Sequence, residues 1–452
     1  MTSQQDIPLY EEVVNHWDQW AEFISRSETS DLRKTRRQAF EKFRESGFPS
    51  IRNEDWKYTN ITRWLRESYA MQGLPEEPSG NTLSVAGMSV SRGMWKKGKI
   101  PDLDCYTLFL HNGVWVRELG DEDLPPGIEV LKVSQARKDP ALSAWFERAD
   151  EKDRYFTALN TALFSDGLFI RVKAGTVPDK PLHIIHDFTS GRNLMVQPRH
   201  VWVVGENAEL SVIETVVSDS GDAGIWINSL TEINLNRDAR LDHVLIQTAS
   251  AGARVVNHTT VRQKKQSLYN SYTFTLPGAD LVRNDLQARL EEDHTETHLY
   301  GLYLTAGSQL VDNHTLVDHQ KPSCFSNELY KGVLLEQSTG VFNGKVYVHR
   351  DAQKTNAFQQ NNNLVIGRKA TIDSKPELEI FADDVKCSHG STVGQFSEDA
   401  LFYLRARGIG EATAKALLIT AFAFDVTEKL KIGAVAAYIN QLISHHIPVD
   451  HA

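Results

Sequence analysis

Cysteine is scarce in this sequence. Cys105, Cys324 and Cys387 are the only three in 452 residues, widely separated and with no Cys-x-x-Cys pair. That excludes a disulfide framework and leads to the expectation of free thiols in a reducing compartment. Basic charge is short as well: 49 Lys and Arg stand against 59 Asp and Glu, a net charge of −10. Such a chain is poorly suited to broad, nonspecific nucleic-acid binding. Long apolar runs are missing, since none reaches the roughly 18 residues that a membrane helix needs. The opening stretch MTSQQDIPLYEEVVNHWDQW is polar and acidic, unlike a secretory signal or an Arg-rich transit peptide. The expected setting is cytoplasmic, with neither nucleic acid nor membrane as partner. Hydrophobic residues at 41% and charged residues at 24% fit an ordinary globular chain, long enough for two or three domains.

Periodicity divides the chain into four parts. Residues 1–73 are expected to be an N-terminal helical region, with helix from residue 9 to about 70. In EEVVNHWDQWAEFI, Val13, Trp17, Trp20 and Ile24 follow three- and four-residue steps and draw one apolar stripe. TSDLRKTRRQAFEKFRESG comes next, with Ser30 or Asp31 as cap and Gly47 as stop. Its Arg33, Lys34, Arg36 and Arg37 are interleaved with acids, which favours a solvated helix face over an anion-binding patch. Residues 74–154 read as a linker and mixed segment, opening with the loop-like LPEEPSGNTLSVAGMSVSRG. Helical spacing returns in residues 397–452. EDALFYLRARGIGEATAKALLITAFAFDVTEKL gives two helices broken at Gly408 and Gly410, and AVAAYINQLISHH gives a third. This C-terminal helical region is expected to cap or flank the core.

Residues 155–396 are different. Short alternating segments such as HVWVVG, ELSVIETVV, LDHVLIQT and KVYVH replace the helical period. A small residue, any residue and a large apolar one recur as Ala208-Glu209-Leu210, Ala239-Arg240-Leu241 and Ala279-Asp280-Leu281. They recur again as Ser308-Gln309-Leu310, Gly340-Val341-Phe342 and Ala370-Thr371-Ile372. The steps between the small residues are 31, 40, 29, 32 and 30, which reads as stacked coils with one insertion. The expectation is a mainly β protein built on a right-handed parallel β-helix, flanked by helices at both ends, with a β-sandwich as the weaker alternative. Gln359-Gln360-Asn361-Asn362-Asn363 suits the coils, because side-chain amides can ladder from one to the next.

Several motifs fail on spacing. Gly340-Val-Phe-Asn-Gly344-Lys345 is one residue too short for a phosphate loop and sits between strands, so this chain is not read as an ATPase. ARGIGEATAKALL resembles a helix-hairpin-helix DNA clamp, yet only Arg405, Arg407 and Lys415 lie near to meet phosphate. A plain helix turn is favoured. A β-helix enzyme acting on polysaccharide is a further alternative, weakened by the lack of an export signal. His294 and His298 would lie about 13 Å apart on a strand, too far to chelate one ion. Like His314, His319 and His349, they read as satisfied surface histidines. Asp383 and Asp384, as strand neighbours, would face opposite ways. Cys387 and His389 differ, because positions i and i+2 project together, about 6.6 Å apart. A thiol and an imidazole there suit iron or zinc but do not close a coordination sphere.

LEIFADDVKCSHGSTVGQ, followed by FYLRARGI, resembles the signature of the SufB/SufD family of iron–sulfur cluster assembly proteins. GFPSIRNEDWKYTN, LNTALFSDGLFIRVKAG, RHVWVVGENAELSVIE, VDNHTLVDH and VFNGKVYV are similar to further family blocks, so the likeness spans about residues 45–430. The segment around 250–300 lacks the cysteine with which SufB receives sulfur, which sets this chain on the other branch of the family. The resemblance implies a non-catalytic scaffold in a complex with SufB, joined through the β-helix, and with the ATPase SufC, docked on the C-terminal helices at about 397–446. It implies a transient iron–sulfur cluster shared with SufB, with His389 as a ligand and Cys387 beside it as a second cluster-binding residue. It also implies self-association of the chain without SufB, and it leaves open a reduced flavin in the complex.

Overall fold

From Leu168 to Gly394 the chain alternates between two walls, and each interior strand such as Ala253–Gln263 pairs in parallel with the strands one coil before and one coil after it. The computed structural model describes residues 7–24, 28–72, 84–85, 88–89, 94–120, 123–147, 154–219, 221 and 223–447. Strands such as Ile225–Leu235, Ala253–Gln263 and Leu281–Leu290 belong to an eleven-stranded sheet, and Arg240–Gln247, Leu268–Thr275 and Glu296–Thr305 to a ten-stranded one. The result is a two-walled parallel β-solenoid. Its interior is filled by alternate residues of both walls, including Trp202, Ile184, Val212, Leu241, Val255 and Tyr330.

The 40-residue step is not an insertion. Leu210, Leu241 and Tyr269 are successive partners in the ten-stranded wall, 31 and then 28 residues apart. Ala279 precedes a strand of the other wall, so the repeated triplet crosses from one corner of the coil to another. A regular corner device lies beneath the pattern. Asn207, Asp238, Gln266, His294, Ser323 and Lys354 all adopt positive φ, between 55° and 61°. Each is followed by a small buried residue: Ala208, Ala239, Ser267, Thr295, Cys324 and Thr355. The left-handed residue turns the corner and the small one lets the next coil close over it.

Helices cover the outer faces. Helix α1 (Pro8–Ile24) and α2 (Ser30–Ser46) bring Leu9, Val13, Trp17, Phe40 and Phe43 against Trp226, Val256 and Leu281 on the outside of the eleven-stranded wall. The cap of α2 is Thr29, whose hydroxyl accepts from Leu32 N–H at 3.2 Å, one residue before the expected cap. Gly47 ends the helix at φ 61°, and residues 47–69 carry only short 3₁₀ turns, so the helical region stops well before residue 70. Arg36 is not solvated. It is fully buried, paired with Glu28 at 3.0 Å and stacked 3.7 Å from the Phe164 ring. Between residues 74 and 93, only Ser84–Val85 and Met88–Ser89 lie within the described residues, paired antiparallel. A four-residue helix, α3 (Val133–Ala136), and α4 (Tyr155–Leu163) complete this side.

The last three helices are α5 (Glu398–Ala406), α6 (Glu411–Thr427) and α7 (Gly433–His446). Ile419, Ala423, Val426, Val435, Ile439 and Ile443 pack on Ile246, Phe274, Leu302 and Val333, outside the ten-stranded wall. Lys331 pins α6 by donating to Phe422 O at 3.0 Å and pairing with Asp425. The C-terminal helices therefore flank the solenoid and leave its end uncovered. Among the described residues no helix is long and apolar enough to cross a membrane.

Candidate functional site

Thr371–Ile380 and Lys386–Gly394 are the last strands of the two walls, each paired on one side only. Register decides which of their residues face inward. Cys387, His389 and Ser391 stack on Ala357, Gln359 and Asn361, all three of which are buried. Ile372, Ser374, Pro376 and Leu378 stack on Gly340, Phe342, Gly344 and Val346 in the facing wall. In any earlier coil these positions would be core. Here no coil follows, and from Ser388 to Gly394 every residue is exposed.

The open mouth thus presents a thiol and an imidazole on one face, two residues apart, as the spacing predicts. Cys387 is half-buried against Val346, Ala357 and Ala382. Burial raises its thiol pKa, opposed by a backbone contact from Ala357, so the thiolate is disfavoured in the uncovered chain. His389 is exposed at the rim. Across the mouth Ser391 Oγ lies 2.8 Å from Ser374 Oγ. Among the described residues no group of three or more His, Cys, Asp or Glu side chains is placed to hold a metal ion. A thiol and an imidazole can bind iron, but this pair needs donors from outside the described chain.

The other singled-out residues lie elsewhere. His294 is a left-handed corner residue 2.8 Å from Asp293, and His298 lies on the outer face 2.6 Å from Glu296. His349 is 2.8 Å from Asp318. His314 joins a buried network with Arg283, Asp312 and Asp285, below Trp56. His319 is not on the surface as expected but inside the solenoid, 2.9 Å from Ser326 Oγ, where burial lowers its pKa to about 3. Asp383 and Asp384 are in the corner between the last two strands rather than on a strand, and Asp384 O accepts from Lys354 N–H at 2.6 Å. The Gly408-Ile409-Gly410 turn joins α5 to α6, and Arg405 and Lys415 both approach Glu411, at 3.6 and 2.6 Å. Gly340 and Gly344 are inward positions of the strand Thr339–Val348, not a loop.

Sequence reasoning missed the polar groups inside the solenoid. Glu214 accepts from His186 and His243 at 2.7 Å each, and His243 reaches Tyr269 at 3.0 Å. Burial alone would raise the Glu214 pKa, but the two histidines outweigh it and hold the carboxylate ionised. Glu328 receives a hydrogen bond from Gln359 at 2.8 Å, and burial raises its pKa to about 7. Only register brings such residues together, because they are a full coil apart in sequence.

Residues 187–422 match the family described as SUF system FeS cluster assembly, SufBD core domain, and residues 9–184 match the SufBD protein N-terminal region. The chain is 31% identical over 432 residues to an iron–sulfur cluster assembly SufBD family protein of Synechocystis, covering 93% of this chain and 92% of that one. It is 30% identical over 407 residues to the iron–sulfur cluster assembly protein SufD of Escherichia coli, covering 89% and 90%. A chloroplastic Arabidopsis protein, ABCI7, is 31% identical over 320 residues, 69% of this chain and 67% of that one.

Proposed function

Starting from the fact that this chain belongs to the SufBD family of SUF-system iron–sulfur cluster assembly proteins, we propose that it is a non-catalytic scaffold subunit whose open solenoid end is half of a shared assembly site. The observation that carries this reading is the uncapped last coil. Helices protect both outer faces, yet the inner face bearing Cys387 and His389 is left to solvent. An exposed pair of strand edges with a partly apolar inner face calls for a partner that continues both walls. On this reading SufB docks there and supplies the missing cluster ligands. His389 is the main ligand contributed by this chain, since Cys387 begins as a protonated, half-buried thiol. The iron–sulfur cluster is cargo built between the subunits, not a resident group. Without SufB, a second copy of this chain meets the same edges.

The C-terminal helices offer a second contact surface. α5 buries none of its residues, and Phe402, Tyr403, Leu417 and Phe424 are exposed on α5 and α6. That surface suits docking of the ATPase SufC at about 397–446. ATP binding there shifts the paired subunits and opens the shared site, a bias that requires SufC to bind the open arrangement better. Three cysteines without a disulfide between them fit work in the reducing cytoplasm.

Anaerobic reconstitution with SufB and SufC, comparing the parent chain with His389→Ala, tests the site. The expected result is an assembled complex that no longer forms cluster. An unchanged cluster yield would remove His389 from the ligand set.

A further inference from the structure

Just below the open mouth, the inner wall holds two polar groups that the shared site does not use. Register stacks Glu328, Gln359 and His389 in one column on the ten-stranded wall, one residue per coil. Glu328 and Gln359 are 2% and 3% exposed. Gln359 Nε2 donates to Glu328 Oε2 at 2.8 Å. With the amide nitrogen as the donor to Glu328, the oxygen end of the Gln359 amide is turned away from it. Gln359 Oε1 is left buried with no hydrogen-bond partner among the described residues. Glu328 Oε1 below it is likewise without a partner among the described residues, but only Gln359 Oε1 borders the open coil, where a new donor can reach it.

The neighbouring columns are already settled. Cys387 stacks on Ala357, which offers no polar side chain. Ser391 stacks on Asn361, whose Oδ1 accepts from Asn363 Nδ2 at 2.6 Å and from Ser374 Oγ at 2.8 Å. The column between them pairs an open acceptor, Gln359 Oε1, with a ring donor, His389. Space for this amide is reserved from the facing wall. A Cβ on Gly344 would come within 2.4 Å of Gln359 Nε2 and 2.6 Å of the Phe342 ring. His389 is one strand spacing away, about 4.8 Å, so a change of rotamer brings its ring to the amide.

We propose that Gln359 is the positioning residue for His389: its Oε1 accepts a ring N–H, Glu328 holds the amide in that sense, and the other ring nitrogen is presented outward. The outward direction matters because of the shared-site reading above, on which that part rests. The hydrogen bond itself needs no metal. Imidazole ligands commonly donate their second nitrogen to a fixed acceptor, which sets both tautomer and ring orientation.

Ring ¹⁵N spectra of the full-length chain labelled at histidine, with His389 assigned by its loss in His389→Ala, test the bond without iron. The parent chain is expected to show His389 as a single tautomer. Gln359→Leu loses that signature and returns the ring shifts to the exchanging average of a free histidine. The exchange variant Glu328→Gln/Gln359→Glu restores a single tautomer, because the pair's hydrogen bond is reversed and an oxygen still faces the rim. Identical His389 shifts in the parent chain and Gln359→Leu overturn the proposal. Cobalt(II) binding by the assembled complex separates it from the ligand reading. A fixed tautomer with cobalt binding unchanged by His389→Ala leaves the hydrogen bond standing and removes the ligand role.

Discussion

Glu328 holds its proton where most carboxyls would not. Burial raises its pKa from 4.5 to about 7, against the smaller opposing influence of the polar side chains of Thr315 and Gln359. Between those two pH values the folded chain binds more protons at this site than the unfolded chain does. The stability tied to Glu328 is therefore complete below about pH 4.5 and falls as pH rises to about 7, by roughly 3 kcal/mol for a gap of about 2.5 units. Glu328→Gln removes that slope, so urea unfolding at pH 5 and pH 8 is expected to show the variant gaining on the parent chain at the higher pH. Equal differences at both pH values would mean that Glu328 titrates normally. Gly344 makes the complementary case from shape. Alanine there meets Gln359 Nε2 at 2.4 Å in a closed interior, and Gly344→Ala is expected to lower stability by about 1–3 kcal/mol in the same assay. Glu328 did not stand out in the sequence, and Gly344 did so only within a failed phosphate-loop pattern. Gln359 lay within a polar run whose laddering was legible, but its pairing with Glu328 depends on a register of 31 residues that no local pattern reveals.

At the scale of the element, the coil corner explains what the sequence showed and what it hid. Ala208 and Ala239 advertised the corner because alanine is conspicuous before an apolar residue. Ser267, Thr295, Cys324 and Thr355 fill the same place in later coils but look like ordinary polar or reactive residues. Cys324 is one of these fillers. It is 1% exposed, accepts from Thr295 Oγ1 at 3.1 Å, and burial raises its pKa. Cys324→Ser is therefore expected to fold and assemble as the parent chain does, whereas Cys324→Leu overfills the corner and costs about 1–3 kcal/mol by urea unfolding. The left-handed residue before the filler varies among Asn, Asp, Gln, His, Ser and Lys. No common side chain marks it, which is why the period was visible while the assignment of triplets to walls was not. Arg36 misled for a related reason: a helix with four basic residues clustered between positions 33 and 37 looks solvated until Glu28 and Phe164 come in to meet one of them.

For the whole molecule, the decisive feature is what the two helical regions leave uncovered. The facing of Cys387 and His389 was legible from their spacing, because alternation holds in any strand. Their exposure was not, since it depends on the path of α5, α6 and α7 along the ten-stranded wall instead of across its end. The last strand, Lys386–Gly394, is bonded on one side only, as in the contact from Lys386 N–H to Thr355 O at 2.9 Å. In a parallel ladder alternate amides point to opposite neighbours, so the N–H groups of Cys387, His389, Ser391 and Val393 point off the open edge. Hydrogen exchange of the free chain is expected to find these amides fast, while those of the interior strand Ile225–Leu235 stay slow. On the proposed reading, assembly with SufB is expected to pair the open edge and slow the first set without changing the second. Val393→Glu carries the same argument to binding. Val393 is 59% exposed, so the substitution leaves thermal stability within about 0.5 kcal/mol, yet it puts a charge into the mouth that a partner would bury. Loss of the complex on size exclusion with unchanged melting is the expected outcome. A complex that forms normally with Val393→Glu, together with unaltered exchange in Lys386–Gly394, would place the partner's contact elsewhere on the molecule.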